Sequence, residues 1–294
     1  MKNFKILIPC YNDWPSVLKL LDKLESEINQ IEGNFSVLIV NDGSNENLEK
    51  KDFKFKNIKF IEVLNMKINQ GHTRSNATGI KFLSKKNNFD YLIVMDGDGE
   101  DRPEEIKLFV EKVKKVNNTS IVAKRIKRSE GLIFTILYNF HKLITLIFTG
   151  HNMNFGHFTC LSKSDVKLIS IKESLWLNFS GTVKKFVKHL ENIPCIRGKR
   201  YVQPSKMSFI NLIIHSFSIL AVFKYQVLIR SLFFLLILNL FQPSIISYIF
   251  QFSLIIFNIL VFFISKRENS EEFNNCQEKI GSIVKTFSLT NKRK

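Results

Sequence analysis

Cysteine is scarce: four residues in a chain of 294, with no Cys-x-x-Cys pair and no clustered histidines beside them. The scatter of Cys10, Cys160, Cys195 and Cys276 excludes a structural zinc site and offers no disulfide framework, so all four are expected as reduced thiols. The N-terminus lacks the apolar core of a signal peptide. Residues 1–10 are a short strand-like run broken by Lys5 and Pro9, and the domain they open is expected to stay in the cytosol. Gly-x-Gly-x-x-Gly is missing, as is the Gly-x-x-x-x-Gly-Lys-Ser/Thr loop, which removes the common dinucleotide and nucleoside-triphosphate cradles. No internal repeat is present. Acidic residues are the minority charge, 26 against 43 Lys and Arg, for a net charge of +17. Such a surplus suits nucleic acid, an anionic membrane or phosphorylated substrates, and alone does not choose among them.

Before residue 205 short apolar runs alternate with helix-like stretches. Strands are expected at residues 5–9, 35–40, 58–63 and 91–95. Helices are expected at residues 14–28 (carrying Val17, Leu18, Leu20, Leu21 and Leu24), 75–83 and 103–116. Short buried strands separated by helices predict an α/β fold with a mostly parallel sheet covered on both faces. Such sheets bind ligands outside the carboxyl ends of their strands, so the polar residues after each strand are the candidates for chemistry.

Beyond residue 206 the character changes. Residues 208–223 are apolar apart from Asn211 and His215 and a few serines, and residues 231–265 contain no charge at all. A membrane-crossing helix needs about 20 apolar residues, so the uncharged run is too long for one and barely enough for two. Gln242-Pro243-Ser244 supplies a turn. Lys224 and Arg230 before the run, with Lys266 and Arg267 after it, put both ends on the cytosolic side. Residues 208–223 are expected to lie in the headgroup plane, although they could add a third crossing.

The strongest chemical signal is the stretch from Tyr91 through Asp96-Gly97-Asp98-Gly99-Glu100-Asp101-Arg102-Pro103-Glu104, where an apolar strand ends in an acidic loop. Alternate carboxylates can converge on one hard cation, which keeps sites open for substrate phosphates. An acidic helix start explains Glu104 and Glu105 after Pro103, but not Asp96 and Asp98. The twelve-residue spacing of an EF-hand calcium loop is missing. A second acidic strand end is Asn41-Asp42-Gly43-Ser44, and a third polar one is Ile8-Pro9-Cys10-Tyr11-Asn12.

These pieces, with Asn69-x-Gly71-His72-x-Arg74 between them, occur in the order found in family 2 glycosyltransferases of the GT-A fold, over roughly residues 4–130. The chain most resembles the polyprenyl-phosphate (dolichyl-phosphate mannose synthase-like) branch, whose acidic loop commonly reads Asp-x-Asp-x-Gln-Asp-x-Pro-Glu; here Glu100 replaces the Gln. The resemblance implies a hexosyltransferase-like enzyme that moves a sugar from a nucleotide-diphosphate donor, with inversion, to a polyprenyl phosphate. Pro9, Tyr11, Asn12, Asp42, Gly71, Arg74 and Asp96 would bind the donor. Asp96, Asp98 and Glu100 would hold Mg²⁺ or Mn²⁺, and Asp96, Asp98 and Arg125 would carry catalysis, with Arg128 a weaker candidate near the phosphates. Arg200, Ser205 and Lys206 would meet the acceptor. A phosphate acceptor is already ionised and needs no strong base; for a hydroxyl acceptor the candidate bases are Asp165 and Glu173. His157, in Gly156-His157-Phe158, reads as structural. The organisation implied is a catalytic domain over 1–205, an interfacial amphipathic helix over 206–226, a transmembrane hairpin over 227–265 and a polar cytosolic tail over 266–294. The expected location is a bacterial inner membrane, with membrane lipids and the two substrates as partners and no nucleic acid. Two alternatives stand beside this: a glycan or lipid-linked saccharide hydroxyl as acceptor, and a non-enzymatic membrane adaptor with a degenerate transferase domain.

Overall fold

The computed structural model describes residues 1–46, 55–127, 132–202, 208–240 and 244–287. The first half is built from β1 (Asn3–Cys10), α1 (Trp14–Ile28), β2 (Asn34–Asn41), β3 (Ile58–Met66), α2 (His72–Ser84), β4 (Tyr91–Val94), α3 (Ile106–Lys115) and β5 (Ser120–Lys127). There follow α4 (Leu132–Thr149), β6 (Phe155–Ser162), α5 (Lys163–Ile169), α6 (Ser174–Leu177), α7 (Phe179–Phe186) and β7 (Leu190–Ile196). The remainder comprises α8 (Phe209–Val222), α9 (Lys224–Asn239), α10 (Ile245–Ser265), α11 (Ser270–Asn274) and β8 (Ile280–Phe287). All eight strands join one sheet in the order β7-β5-β6-β4-β1-β2-β3-β8. The central block β4-β1-β2-β3 is parallel, as expected for strands apolar on both faces, while β6 and β8 run antiparallel to their neighbours.

The period-2 alternation of the strands divides the core in two. Phe4, Ile6 and Ile8 of β1 with Val37 and Ile39 of β2 face α1 and α3; Leu7, Leu38 and Val40 face α2 and the α5–α7 layer. In α1, Val17, Leu20, Leu21, Leu24 and Ile28 form the buried stripe of an amphipathic helix. Helix α2 has little such stripe and packs through small residues instead. At Gly79 a Cβ would meet Leu7 Cδ1 at 2.6 Å, so only glycine lets the helix approach the sheet this closely. Its first turn begins at His72 rather than at the expected Ser75.

One expectation is corrected by the C-terminal third. Residues 266–294, read from composition as a polar cytosolic tail, fold back onto the α/β domain over the described part. Phe273 and Cys276 bury in the α2-side core, and β8 adds an antiparallel strand to the edge of β3. The open edge of β3 carries unpaired backbone groups that a partner strand satisfies, which mean polarity does not reveal. The domain is therefore not contiguous over 1–205. Of the expected hairpin, only α10 is long and apolar enough to cross a membrane alone: its 21 residues extend about 32 Å at ~1.5 Å per residue, against a hydrocarbon core of about 30 Å. Helix α9 has 16 residues and passes the same test only together with α8, across a bend of 85°. The Gln242-Pro243 part of the expected turn lies outside the described residues. The stretch expected as an interfacial helix is helical as α8, and its end is core: Leu220 to Phe223 pack with Leu177, Val227 and Val261.

Helix α4 was not anticipated. It turns Ile136, Phe140, Leu143 and Ile147 outward, a stripe at helical spacing, while Thr145 and Thr149 are buried and His141 Nε2 lies 3.1 Å from the Ser216 carbonyl oxygen in α8. Apolar side chains outside and polar ones inside suit a helix whose outer solvent is lipid.

Candidate active site

Three loops at the carboxyl ends of β1, β2 and β4 meet the start of α2. The Asp42 N–H donates to the Cys10 carbonyl (2.8 Å), fixing the β2 loop against the β1 loop. Asn12, in the left-handed region at φ 49°, receives a hydrogen bond from the Asn45 N–H at its Oδ1 (2.9 Å) and donates its own N–H to Ser44 Oγ (2.9 Å). Its amide therefore latches the two loops together. Tyr11 stands exposed beside them. The carboxylate of Asp42 accepts the N–H groups of Gln70 and Gly71, both at 2.8 Å, and so sets where α2 begins. Burial pushes its pKa up against the pull of those two hydrogen bonds.

The acidic loop is held from beneath and clamped from above. Asp101 is buried and accepts the Asp96 N–H at 2.9 Å, with Arg125 Nη2 3.7 Å from its other oxygen. Burial, reinforced by the charge of Asp96, pushes Asp101 up to about 8. Above the loop, the segment after β7 lies across it: Gly198 N–H donates to the Glu100 carbonyl (2.8 Å) and Tyr201 N–H to the Asp98 carbonyl (2.9 Å). The Tyr201 ring covers Gly99, where φ is 93° and a Cβ would meet that ring at 2.6 Å, so glycine is favoured there. Arg200 Nη1 sits 2.5 Å from Asp98 Oδ2, and Arg197 pairs with Glu100.

Asp96 has different company. Its Oδ1 is 2.9 Å from His72 Nε2, and the His72 and His157 rings meet edge to face with centroids 4.6 Å apart. Burial opposes ionisation of Asp96, but the His72 charge and hydrogen bond outweigh it and hold the carboxyl well below its usual range. Asp98 moves the other way, to about 6, through burial and then the neighbouring Asp96 charge. Burial and then the His72 charge drive His157 down to about 3, leaving a neutral imidazole.

A cleft of about 540 Å³ runs from this edge toward the C-terminal helices. Pro9, Tyr11, Asp42, Gly71 and Arg74 line one end; Asn211, His215 and Ser218 of α8, with Arg267 after α10, line the other. Arg74 is fixed by Glu272 of α11 (3.0 Å) and lies over the Trp176 ring at 5.1 Å.

Of the expected donor-side residues, Pro9, Tyr11, Asp42, Gly71 and Arg74 line one cleft, Asp96 pairs with His72 beside it, and Asn12 and Asp42 are engaged in loop geometry. The structure places Arg125 under the acidic loop and Arg200 on Asp98. Ser205, Lys206 and Arg128 lie outside the described residues. Asp165 accepts hydrogen bonds from Ser120 Oγ (2.5 Å) and Ser162 Oγ (2.9 Å), and the β4–β6 register pairs Ser162 with Tyr91, at the opposite end of β4 from Asp96. It is no base for this site. Glu173 is exposed at the start of α6. Sequence reasoning left His72 and Asp101 without roles although both stand inside quoted motifs, read His157 as structural, and did not single out Trp176.

Comparison with known proteins agrees with this architecture. A family model described as glycosyl transferase family 2 matches residues 5–167, more than half of the chain. The chain belongs to glycosyl transferase family 2. The undecaprenyl-phosphate 4-deoxy-4-formamido-L-arabinose transferase of Proteus mirabilis (strain HI4320) is 24% identical over 214 residues, covering 71% of this chain and 64% of that protein. An uncharacterized protein of Methanocaldococcus jannaschii is 26% identical over 121 residues, covering 40% of this chain and 50% of that one. The chain thus spans between half and two thirds of the length of these relatives. In fold it is similar to glucosyl-3-phosphoglycerate synthase from Mycobacterium tuberculosis in complex with Mn²⁺ and UDP-glucose, with a TM-score of 0.51, 10% identity, and coverage of 76% of this chain and 79% of that one.

Proposed function

We propose that this glycosyltransferase moves a sugar from a nucleotide-diphosphate donor, with a divalent metal and with inversion, to a polyprenyl phosphate at the cytosolic face of a membrane. The observation that carries this reading is the continuity of one cleft from Tyr11 and Asp42 to α8 and Arg267, at the foot of the apolar helix α10. A similar mycobacterial synthase was crystallised with Mn²⁺ and UDP-glucose, and a relative is named for undecaprenyl phosphate, in line with both ends of that cleft.

The residues of the acidic loop suit a divalent cation. Asp96, Asp98, Glu100 and Asp101 crowd one loop, with two imidazoles beside Asp96, a hard-to-borderline donor set. Asp96 belongs to either ligand set the site offers, the carboxylates Asp96, Asp98 and Glu100 or the mixed group His72, Asp96 and His157. When bound, such a metal neutralises charge developing on the departing diphosphate. The N-terminal turn of α2, whose residues 71–75 line the cleft, directs backbone N–H groups and the positive end of the helix dipole at the same anion. Tyr11 offers an exposed ring to the donor base. At the far end Arg267 supplies a cation for the acceptor phosphate, which attacks already ionised and so fits a site where Asp165 is turned away.

A parity argument supports a hairpin over a single crossing. Strand β8 pairs with β3, so the chain before α8 and the chain after α10 lie on the same side of any membrane. Helix α10 alone would leave them on opposite sides, so an even number of crossings is required. Helix α9, packed on α10 and uncharged from Ser231 onward, supplies the second, with the outward stripe of α4 resting on the lipid beside it. In sealed inside-out vesicles, single cysteines at Lys115→Cys and Ser270→Cys should react with a membrane-impermeant maleimide and Ser244→Cys should not. The native cysteines are buried and add little background. Reaction of Ser244→Cys from that same face would remove the hairpin.

The chemical test is a donor screen by nucleotide release, with and without Mn²⁺ or Mg²⁺, followed by labelled donor with each acceptor type. Labelled product should partition into organic solvent with a polyprenyl phosphate. Product confined to water would move the acceptor to a soluble glycan.

A further inference from the structure

The antiparallel register between β4 and β6 pairs Tyr91 with Ser162, Ile93 with Cys160 and Val94 with Thr159. Two more steps along the same register set His157 opposite Asp96. The parallel neighbour β1 and the Asp42-anchored start of α2 bring His72 to the same point from the other side. One ligand atom from each of His72, Asp96 and His157 lies within 4.8 Å of the other two, and the His72–Asp96 pair is already at 2.9 Å. Bond lengths of about 2.0–2.2 Å put neighbouring ligand atoms about 3 Å apart, so modest side-chain rotation closes the set on one ion. The His157 ring is kept in place by the buried Phe179 of α7, stacked at 5.5 Å. Meanwhile the other two carboxylates expected to ligate are engaged elsewhere, Asp98 with Arg200 and Glu100 with Arg197.

We infer that the cation site of this transferase is His72, Asp96 and His157, two imidazoles and one carboxylate, and that it selects a borderline divalent ion over Mg²⁺. Imidazole suits Zn²⁺, Fe²⁺ and Ni²⁺ best, and Mn²⁺, though it favours oxygen, accepts imidazole more readily than Mg²⁺, which holds to oxygen and water. Three protein ligands leave positions for water and for diphosphate oxygens. In this arrangement Asp98 and Arg200 form a clamp that shapes the loop. The inference rests on the proposed metal-assisted transfer, but it is read out by metal binding alone.

The test uses the full-length protein in detergent, without donor, and Mn²⁺ as the probe. Pulsed electron paramagnetic resonance should show nitrogen modulation from coordinated imidazole, and Mg²⁺ should displace Mn²⁺ only at about tenfold or greater excess. His72→Ala and His157→Ala should each weaken Mn²⁺ binding about 10- to 100-fold and diminish the nitrogen signal, with Asp98→Asn changing affinity much less. Bound Mn²⁺ without nitrogen modulation overturns the assignment, as does failure to bind at millimolar metal, or affinity lost in Asp98→Asn and kept in both histidine variants. The wild-type spectrum makes the test independent of how the variants fold. Nitrogen-ligated metal with no donor turnover would sink the transferase reading and leave the site standing. Metal-dependent turnover without nitrogen ligation would do the reverse.

Discussion

Asp96→Asn is expected to lower metal-dependent donor turnover by about 10²–10³-fold, or about 3–4 kcal/mol of transition-state stabilisation, while the protein stays folded. The side chain meets His72, a contact that an amide can still satisfy, and its backbone N–H remains tied to Asp101. What changes is charge. Asp96 is held firmly ionised by His72, and it belongs to both proposed sets of cation ligands. Asp98 is less decisive, since burial and Asp96 raise it and Arg200 already engages it. Nucleotide release at saturating metal measures the loss, and a thermal melt checks the fold. Turnover by Asp96→Asn within a fewfold of wild type would defeat the role given to the loop.

Glu62→Gln is the second large expectation, and it concerns stability. Glu62 is 0% exposed at the centre of β3 and meets Lys5 of β1 at 2.8 Å, Lys86 before β4 at 2.8 Å and Lys285 of β8 at 3.2 Å. Lys5 is itself 1% exposed, so removing the carboxylate leaves a buried ammonium without a countercharge, a cost of about 3–5 kcal/mol. Burial works against the ionised form of both partners. It pushes Lys5 down to about 8 against the pull of Glu62. In Glu62 the hydrogen bonds and charges of Lys5 and then Lys86 overcome burial and bring the carboxyl from 4.5 down to about 2. A carboxyl with a depressed folded pKa stabilises fully above its unfolded value, and that contribution fades as pH falls from 4.5 toward 2. The amount is about 3 kcal/mol at ~1.36 kcal/mol per unit. Denaturant melts should show that slope in the wild type and a flatter profile in Glu62→Gln. Because Lys285 ties β8 to this network, the variant should also lose β8 to limited proteolysis first. Equal midpoints and equal acid profiles for the two proteins would refute the account.

The two experiments probe parts that were unequally visible in the sequence. The acidic loop was legible because its chemistry is local: strand residues, then alternating carboxylates within a few positions. Glu62 was not, since a lone Glu and Lys inside apolar strands look like surface charges until β1, β2, β3 and β8 are ordered in one sheet. The same holds for Asp42. The motif marked it, but only the placement of α2 shows both its oxygens accepting backbone N–H groups.

Residue periodicity and composition by themselves determined the mostly parallel α/β domain, the strand-end acidic loops that align it with family 2, and an apolar C-terminal run suited to a membrane. Each of these depends on neighbours within about twenty positions, where the spacing of side chains along a strand or helix already sets what is buried together. Tertiary structure alone decided that residues 280–287 complete the sheet, that Arg200 clamps Asp98, that α4 faces outward with apolar side chains, and that His72 and His157 converge on Asp96. Those outcomes follow from strand order and register, which join residues 24 to 227 positions apart, and no local pattern carries that information.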